Sequence, residues 1–285
     1  MPIYINTNVA SMTAQRNLSN NTDALGSSLA KLSSGFRINN AADDAAGLQV
    51  SENLRSQIRG KQKALGNVQD GTNVLNIADG ALGVITENLQ RMRELVVQAA
   101  NDTYSDDQRD AIKAELDKRA DDITRIAAST SFNGVNLLDG TGNGSATFIL
   151  QVGANNSSTN DVLDVGNTGA FENANSSTLG IDSGNLTVDN NANALGTLNK
   201  IDTALTTVNT QRSTIGSLVN QLQSAGQSLQ IDIENFSASE SRIRNVDVAS
   251  ETANMTRNQI LQQAAATVLS QANQTPQLAL QLLRG

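Results

Sequence analysis

The chain contains no cysteine, no histidine and no tryptophan, and only two prolines. Without cysteine, no disulfide ties it together. Without His or Cys, Ser-His-Asp triads, cysteine nucleophiles and histidine-based zinc sites are all excluded. Aromatics are 2% of the residues, so a large aromatic-centred globular core is not expected. The formal net charge is −8 and no basic block occurs, which argues against nucleic acid as a partner. No run of about 18 apolar residues exists, so no membrane insertion is expected. The start, Met1-Pro2-Ile3-Tyr4-Ile5-Asn6-Thr7-Asn8, lacks a positive n-region and an apolar h-region, so it does not read as a cleaved signal peptide. Taken alone this suggests the cytoplasm. A chain exported by a route that needs no such peptide would read the same way.

What is present is helical periodicity. Alternating steps of three and four visit Leu198, Ile201, Leu205, Val208, Arg212, Ile215, Val219, Leu222, Gly226, Leu229, Ile233 and Phe236. Only Arg212 and Gly226 break the apolar run. A mean repeat of three and a half residues is the seam of a left-handed coiled coil. A helix of this length spans about 58 Å, so it needs a partner of similar length. Residues 44 to about 100 supply one, with Leu48, Leu54, Ile58, Leu65, Val68, Leu75, Leu82, Ile85, Leu89, Met92 and Val96. Gly66, Gly71, Gly80 and Gly83 fall inside it, each costing about 1 kcal/mol relative to Ala. Either close packing compensates, or the helix is locally weak.

The rest follows in order. Residues 6 to about 34 carry a thin stripe, Leu18, Leu25, Leu29 and Leu32, ended by Ser33-Ser34-Gly35. Ser105-Asp106-Asp107-Gln108 is a capping box that opens a third helix to about Ala128. Glu115 with Arg119, and Asp121 with Arg125, are acid-before-base pairs four apart. Asn133-Gly134 and Asp139-Gly140 mark turns. Thr147 to Val152 and Asp161 to Val165 read as a β-hairpin. Residues 166–193 read as a polar surface excursion. Helix resumes from Glu240 to about Gln274, and Pro276 is expected to interrupt it. Asp43-Asp44, Asp106-Asp107 and Asp121-Asp122 read as helix starts or solvated surface, because adjacent helical carboxylates diverge. Gly140-Thr141-Gly142-Asn143-Gly144 precedes a strand, so it reads as a turn and not as a phosphate loop. No cofactor or metal is expected, and no enzyme activity.

Several stretches are specific enough to name a family. Ile5-Asn6-Thr7-Asn8, Leu32-Ser33-Ser34-Gly35-Phe36-Arg37-Ile38-Asn39 and Asp43-Asp44-Ala45-Ala46-Gly47 resemble the N-terminal signature of bacterial flagellins. Gln90-Arg91-Met92-Arg93-Glu94-Leu95, Phe132 to Leu138 and Phe148 to Ala154 continue the resemblance. Ser241-Arg242-Ile243-Arg244, Ala272-Asn273-Gln274 and Leu282-Leu283-Arg284 resemble the family's other end. One departure falls at Arg244-Asn245-Val246-Asp247, where many relatives carry an acid at one or both of the first two positions.

The resemblance implies a mainly α fold: a long antiparallel helical coiled-coil bundle with a small β-hairpin region in an elongated rod-like subunit. It implies inner-core terminal helices from residues 1–44 and 238–285, paired in the filament. Residues 45–165 and 194–237 would form an outer-core bundle with the hairpin, and 166–193 a short exposed variable segment. The implied function is a structural subunit that self-assembles into the extracellular flagellar filament for swimming. Implied partners are other copies, the flagellar export apparatus, an export chaperone and the filament cap. Arg91, Leu95 and Glu115 match positions that contact a host Toll-like receptor in some relatives; Arg91 and Leu95, four apart, read as one helix face, and subunit packing within the filament is the primary role expected of that surface. The seam residues Leu198, Ile201, Leu205, Val208, Ile215, Val219, Leu222, Leu229, Ile233 and Phe236 are the candidates for assembly. A narrow apolar stripe with no domain beside it must find its partner elsewhere; copies of the same chain are the simplest source, and head-to-tail contacts that do not close give an open helical polymer. Residues 1 to about 40 and about 245 to 285 are expected to fold only on assembly. Alternatives are a hook–filament junction protein and a secreted helical binding module.

Overall fold

The computed structural model describes residues 7–140, 148–157 and 159–284, with 167 and 276–284 described by backbone alone. Its helices are α1 (Val9–Ser34), α2 (Ala45–Ala99), α3 (Asp106–Ser129), α4 (Asn191–Arg244) and α5 (Val248–Arg284). Among the described residues between α3 and α4 lie four short strands, β1 (Ser131–Phe132), β2 (Val135–Asn136), β3 (Ile149–Gln151) and β4 (Val162–Asp164). They form two antiparallel hairpins, β1–β2 and β3–β4. Asn133 and Gly134 turn the first hairpin at φ 50° and 80°, the left-handed pair that a tight Asn-Gly turn requires. The chain divides into two compact units, Met1–Ser56 with Asn235–Gly285, and Gln57–Glu234. Among the described residues, no helix is long and apolar enough to cross a membrane.

In the Gln57–Glu234 unit, α2 and α4 run antiparallel. Ion pairs fix the direction: Lys61 with Asp232 at 2.6 Å, Asp79 with Arg212 at 2.8 Å, and Arg93 with Asp202 at 2.7 Å. As the α2 number rises, the α4 number falls. α3 packs back along α2, where Arg119 donates to Asn88 at 3.2 Å. Leu75, Leu82, Ile85, Leu89, Leu116, Ile123, Ile201 and Leu222 share one core.

That core corrects the expected seam. The fully buried α4 residues are Ala194, Ile201, Val208, Ile215, Leu222 and Leu229, seven apart, with a second row at Thr197, Ala204, Gln211 and Leu218. Leu198, Leu205 and Val219 only flank that core, partly buried. Ile233 and Phe236 are half-buried. Residues of three helices share the core, so α4 buries a broad face and not a two-helix stripe. The seam is therefore largely covered by the chain's own side chains. Gln211 sits in the second row at 2% exposure with no hydrogen bond to either amide atom.

The 166–193 segment was expected as exposed surface, and the structure corrects this too. Ala170, Ala174, Ile181, Leu186 and Val188 have no exposed area at all. The Ala174 N–H donates to the Leu138 carbonyl, and Ser176 meets Thr124 at 2.7 Å. Thr197 Oγ1 donates to the Thr187 carbonyl at 2.8 Å and accepts from the Thr187 N–H at 3.1 Å. Isolated apolar residues at irregular spacing carry no period, so only packing shows that they belong to the core.

The β3–β4 hairpin lies along α2. Asn67 donates to the Gln151 carbonyl and Gln57 to Asn155, both at 2.9 Å. A methyl group placed on Gly60 would sit 2.9 Å from the Ala154 β-carbon, whereas at Gly66, Gly80 or Gly83 it would meet nothing within 4 Å. Gly60 therefore admits the hairpin, and the other three only weaken the helix. We expect Gly60→Ala to destabilise this unit by about 1–2 kcal/mol through overpacking. Gly66→Ala should stabilise it by about 0.5–1 kcal/mol. Urea unfolding of the two variants checks the opposite signs, and a stabilised Gly60→Ala would refute the hairpin contact.

The helix ends differ from expectation in two places. α4 runs on to Arg244, and the break falls at residues 245–247, after which Asp247 caps α5 by accepting from the Ala249 N–H at 3.0 Å. α5 then continues past Pro276 without interruption. Proline has no N–H, so the carbonyl four residues earlier, Ala272, is left free. Asn8 Nδ2 donates to that carbonyl at 2.8 Å, which offsets the loss. In α3, Glu115 pairs with Arg119 at 3.1 Å as expected, but Arg125 takes Asp122 at 2.9 Å and not Asp121. Gln108 closes the capping box by accepting from the Ser105 N–H at 3.0 Å.

Candidate assembly interface

In the unit formed by the two ends of the chain, α1 and α5 pair antiparallel. Asn8 meets Ala272, Ser11 Oγ donates to Asn273 Oδ1 at 2.7 Å, and Gln262 donates to Thr22 at 3.1 Å. The pairing stripe of α1 is Ser11, Ala14, Leu18, Asn21, Leu25 and Ser28; that of α5 is Met255, Asn258, Gln262, Ala265 and Leu269. Only Ala14 and Ser28 of α1 are buried. Small and amide side chains occupy much of this seam, so it stabilises the pair weakly.

The larger apolar residues lie off the stripe. Val9 and Met12 are each 63% exposed and Ile260 is 60% exposed; Leu29, Val248, Leu261 and Val268 are exposed as well. Burying each such side chain is worth about 1.5–3 kcal/mol. The pair by itself therefore leaves these apolar side chains uncovered. Leu278, Leu280, Leu282 and Leu283 have side chains outside the described residues, as do Ile5 and Asn6.

Where α1 gives way to α2, and α4 to α5, the chain crosses itself. Phe36 bridges Asn245, the Arg37 N–H donates to the Arg244 carbonyl at 2.6 Å, and the Val246 N–H donates to the Gly35 carbonyl at 3.0 Å. Gly35 makes the turn at φ 75° as the cap of α1. Arg244 lies over the Phe36 ring, 4.7 Å from its centre, and donates to Glu52 Oε1 at 2.6 Å. Asp43 accepts from the Asn39 and Asn40 N–H groups, and Asp44 caps α2 through the Gly47 N–H. The expected reading of these acids as helix starts describes what they do here.

The hydrogen bond from Arg244, and then that from Arg55, hold the Glu52 carboxyl below the ordinary glutamate range. A depressed carboxylate stabilises the fold fully above its ordinary value, and the contribution is lost as pH falls through the depressed one. We expect carbon NMR titration of the monomer to give Glu52 a midpoint below that of an exposed glutamate, and Arg244→Ala to bring it back up. Identical midpoints in both proteins would rule the contact out.

The expected receptor patch is only partly assembled. Arg91 Nη1 donates to Glu94 at 2.7 Å, and its Nε lies 4.0 Å from Glu115 Oε1. Leu95 is 3% exposed and belongs to the core beneath them. This corrects its placement on the same outer face as Arg91. Four residues advance about 400°, a net 40°, and that small rotation along α2 puts Leu95 in the core while Arg91 stays at its exposed edge.

Other candidate chemistry does not come together. Among the described residues, no group of three or more His, Cys, Asp or Glu could hold a metal ion. Residues 141–144 of the glycine-rich turn lie outside the described residues. Sequence reading missed Arg109, a buried side chain that donates to the Asp189 carbonyl at 2.9 Å and the Asn101 carbonyl at 3.2 Å. Its position in the i, i+3 apolar pattern ahead of Ile112 and Leu116 was the only signal.

Comparison with known proteins agrees along the chain. Residues 5–143 match the bacterial flagellin N-terminal helical region, and residues 198–283 match the bacterial flagellin C-terminal helical region. A flagellin of Halalkalibacterium halodurans is 41% identical over 282 residues, covering 99% of this chain and 100% of that protein. The flagellar filament 33 kDa core protein of Treponema phagedenis is 38% identical over 293 residues, again covering 99% and 100%. The crystal structure of Bacillus cereus flagellin, 31% identical, covers 57% of this chain and 88% of that one at a TM-score of 0.48.

Proposed function

Since the chain belongs to the bacterial flagellin family and is a structural subunit of the extracellular flagellar filament, we propose that copies join through the apolar edges of the α1–α5 pair. Val9, Met12, Ile260 and Val268, exposed on that pair, support this reading most directly. Residues 1–44 and 238–285 form the inner core of the filament, and 45–165 with 194–237 the outer core. Before assembly the two ends gain too little from their own seam to offset the entropy of ordering them. They fold as neighbours cover them, so assembly and folding of the ends are one event. Amide hydrogen exchange tests this: α1 and α5 should exchange quickly in the monomer and slowly in the filament, with α2 to α4 protected in both. Strong protection of α1 and α5 in the monomer would overturn it.

Export goes through the flagellum's own apparatus, with an export chaperone holding the unfolded ends and a filament cap guiding their addition. The absence of disulfides suits a chain threaded unfolded. The role is structural, and no catalytic step is assigned to it.

A host Toll-like receptor would meet the monomer at Arg91 and Glu115, whose side chains are half exposed. Leu95 supports that surface from below. We expect Arg91→Ala to lower receptor signalling by the monomer about tenfold. Unchanged signalling from a correctly folded variant would remove Arg91 from the contact.

A further inference from the structure

The outer face of α4 is chemically unlike that of α3. Between Asp202 and Asp232 the helix holds one charged residue, Arg212, and that residue is paired with Asp79 at 2.8 Å. Every exposed residue from Thr203 to Gln230 is Thr, Ser, Asn, Gln or Gly. On α3, by contrast, Asp106, Asp107, Asp110, Lys118, Asp121, Asp122 and Arg125 are all exposed. The whole chain carries −8.

Five of the hydroxyls on this face are already used as donors. Thr203, Thr206, Thr210, Ser217 and Ser224 each donate to a carbonyl three or four residues back on α4. They present methyl or methylene groups and oxygen lone pairs outward, with no donor left to satisfy. Covering such a face desolvates neutral hydroxyls and Asn and Gln amides, which can pair again across a contact, whereas covering the charged α3 face costs several kcal/mol per ion. Toward its C-terminal end the face adjoins a groove floored by Leu65, Val68, Leu222 and Gly226 and rimmed by Gln223 and Gln227.

We propose that the uncharged face of α4, from Thr203 to Gln230, is a side along which a second copy of this chain packs in the filament. The proposal rests on the chain being a filament subunit. Charge argues for a copy as the occupant: subunits of net −8 repel wherever charged faces meet, and this side adds no repulsion. The area argues for a contact that works only in the polymer. A strip about 42 Å long and about 10 Å wide offers about 400 Å², half of what one partner contributes to a standard stable interface. It holds no dimer in solution, and contributes once other contacts have fixed the neighbour.

The absence of cysteine makes the test direct. Thr210→Cys and Ser217→Cys place one thiol each on the α4 face, and Lys118→Cys places one on α3. Each variant is copolymerised at low ratio with unmodified chain and treated with a soluble maleimide. We expect labelling at 210 and 217 to slow about tenfold or more on polymerisation, while labelling at 118 changes less than about twofold. Labelling of the α4 thiols at the monomer rate inside filaments would overturn the proposal. So would equal protection of all three positions. Failure of the unmodified chain to polymerise would instead count against the assembly reading itself. A second arm uses Thr210→Glu with Ser217→Glu: monomer melting should be unchanged, and the concentration needed for polymerisation should rise at low salt and recover at high salt.

Discussion

Replacing Arg109 by alanine is expected to lower the stability of the Gln57–Glu234 unit by about 3 kcal/mol. The guanidinium is 8% exposed and reaches across sequence to the Asp189 carbonyl, the Asn101 carbonyl and the Asp102 carboxylate. The carboxylate is 84% exposed, so the ion pair itself contributes at most a fraction of a kcal/mol. The carbonyls matter more. Each loses a charge-assisted donor, and a hydrogen bond from a charged group is worth about 1.5–3 kcal/mol. Against this, alanine removes a buried cation whose Nε has no partner, which offsets part of the loss. At about 2–4 °C per kcal/mol for a unit of this size, melting should fall by about 6–12 °C. Arg109→Lys should recover less than half, since one ammonium cannot serve both carbonyls in the fork geometry of a guanidinium. A loss under about 0.5 kcal/mol for Arg109→Ala would show that the α2–α3 turn and the 166–193 segment near Asp189 are held by something else.

Ile260→Glu should nearly abolish filament formation while leaving the monomer's helical signal unchanged. Ile260 is exposed on α5, so the substitution disturbs no packing within the chain. In the filament it removes about 1.5–3 kcal/mol of apolar burial and adds a carboxylate that must be desolvated or left facing a neighbour. A combined loss above about 3 kcal/mol corresponds to a rise of more than 100-fold in the concentration needed to polymerise. Ile260→Leu keeps the apolar volume and should polymerise nearly as the parent does. Sedimentation across a concentration series measures the threshold. Parent-like polymerisation of Ile260→Glu would exclude this edge of α5 from the interface.

Most of the helical plan was legible because it is written locally. Steps of three and four along α2 and α4, the Ser105–Gln108 box and Gly35 after α1 all act within one or two turns of the residues that encode them. The Asn133-Gly134 turn is equally local, because positive φ is a property of those two residues. The misreadings share a different character. Pro276 looked like a stop because its partner, Asn8, lies at the other end of the chain. Residues 166–193 looked like surface because Ile181, Leu186 and Val188 follow no period and are buried by elements distant in sequence. Leu95 looked like a companion of Arg91 because spacing alone does not say where α3 covers the α2 surface.

The amino-acid order by itself determined that long helices form, where they are capped, that catalysis by histidine or cysteine is out of reach, and which family the motifs resemble. Tertiary structure alone decided which apolar residues are spent inside the chain and which are left over. The core consumes Ile201, Val208, Ile215 and Leu222, while Val9, Met12, Ile260 and Val268 remain uncovered. Both sets are apolar at helical spacing. What separates them is the number of neighbours that the fold brings to each, because burial belongs to an arrangement of helices and not to any one of them.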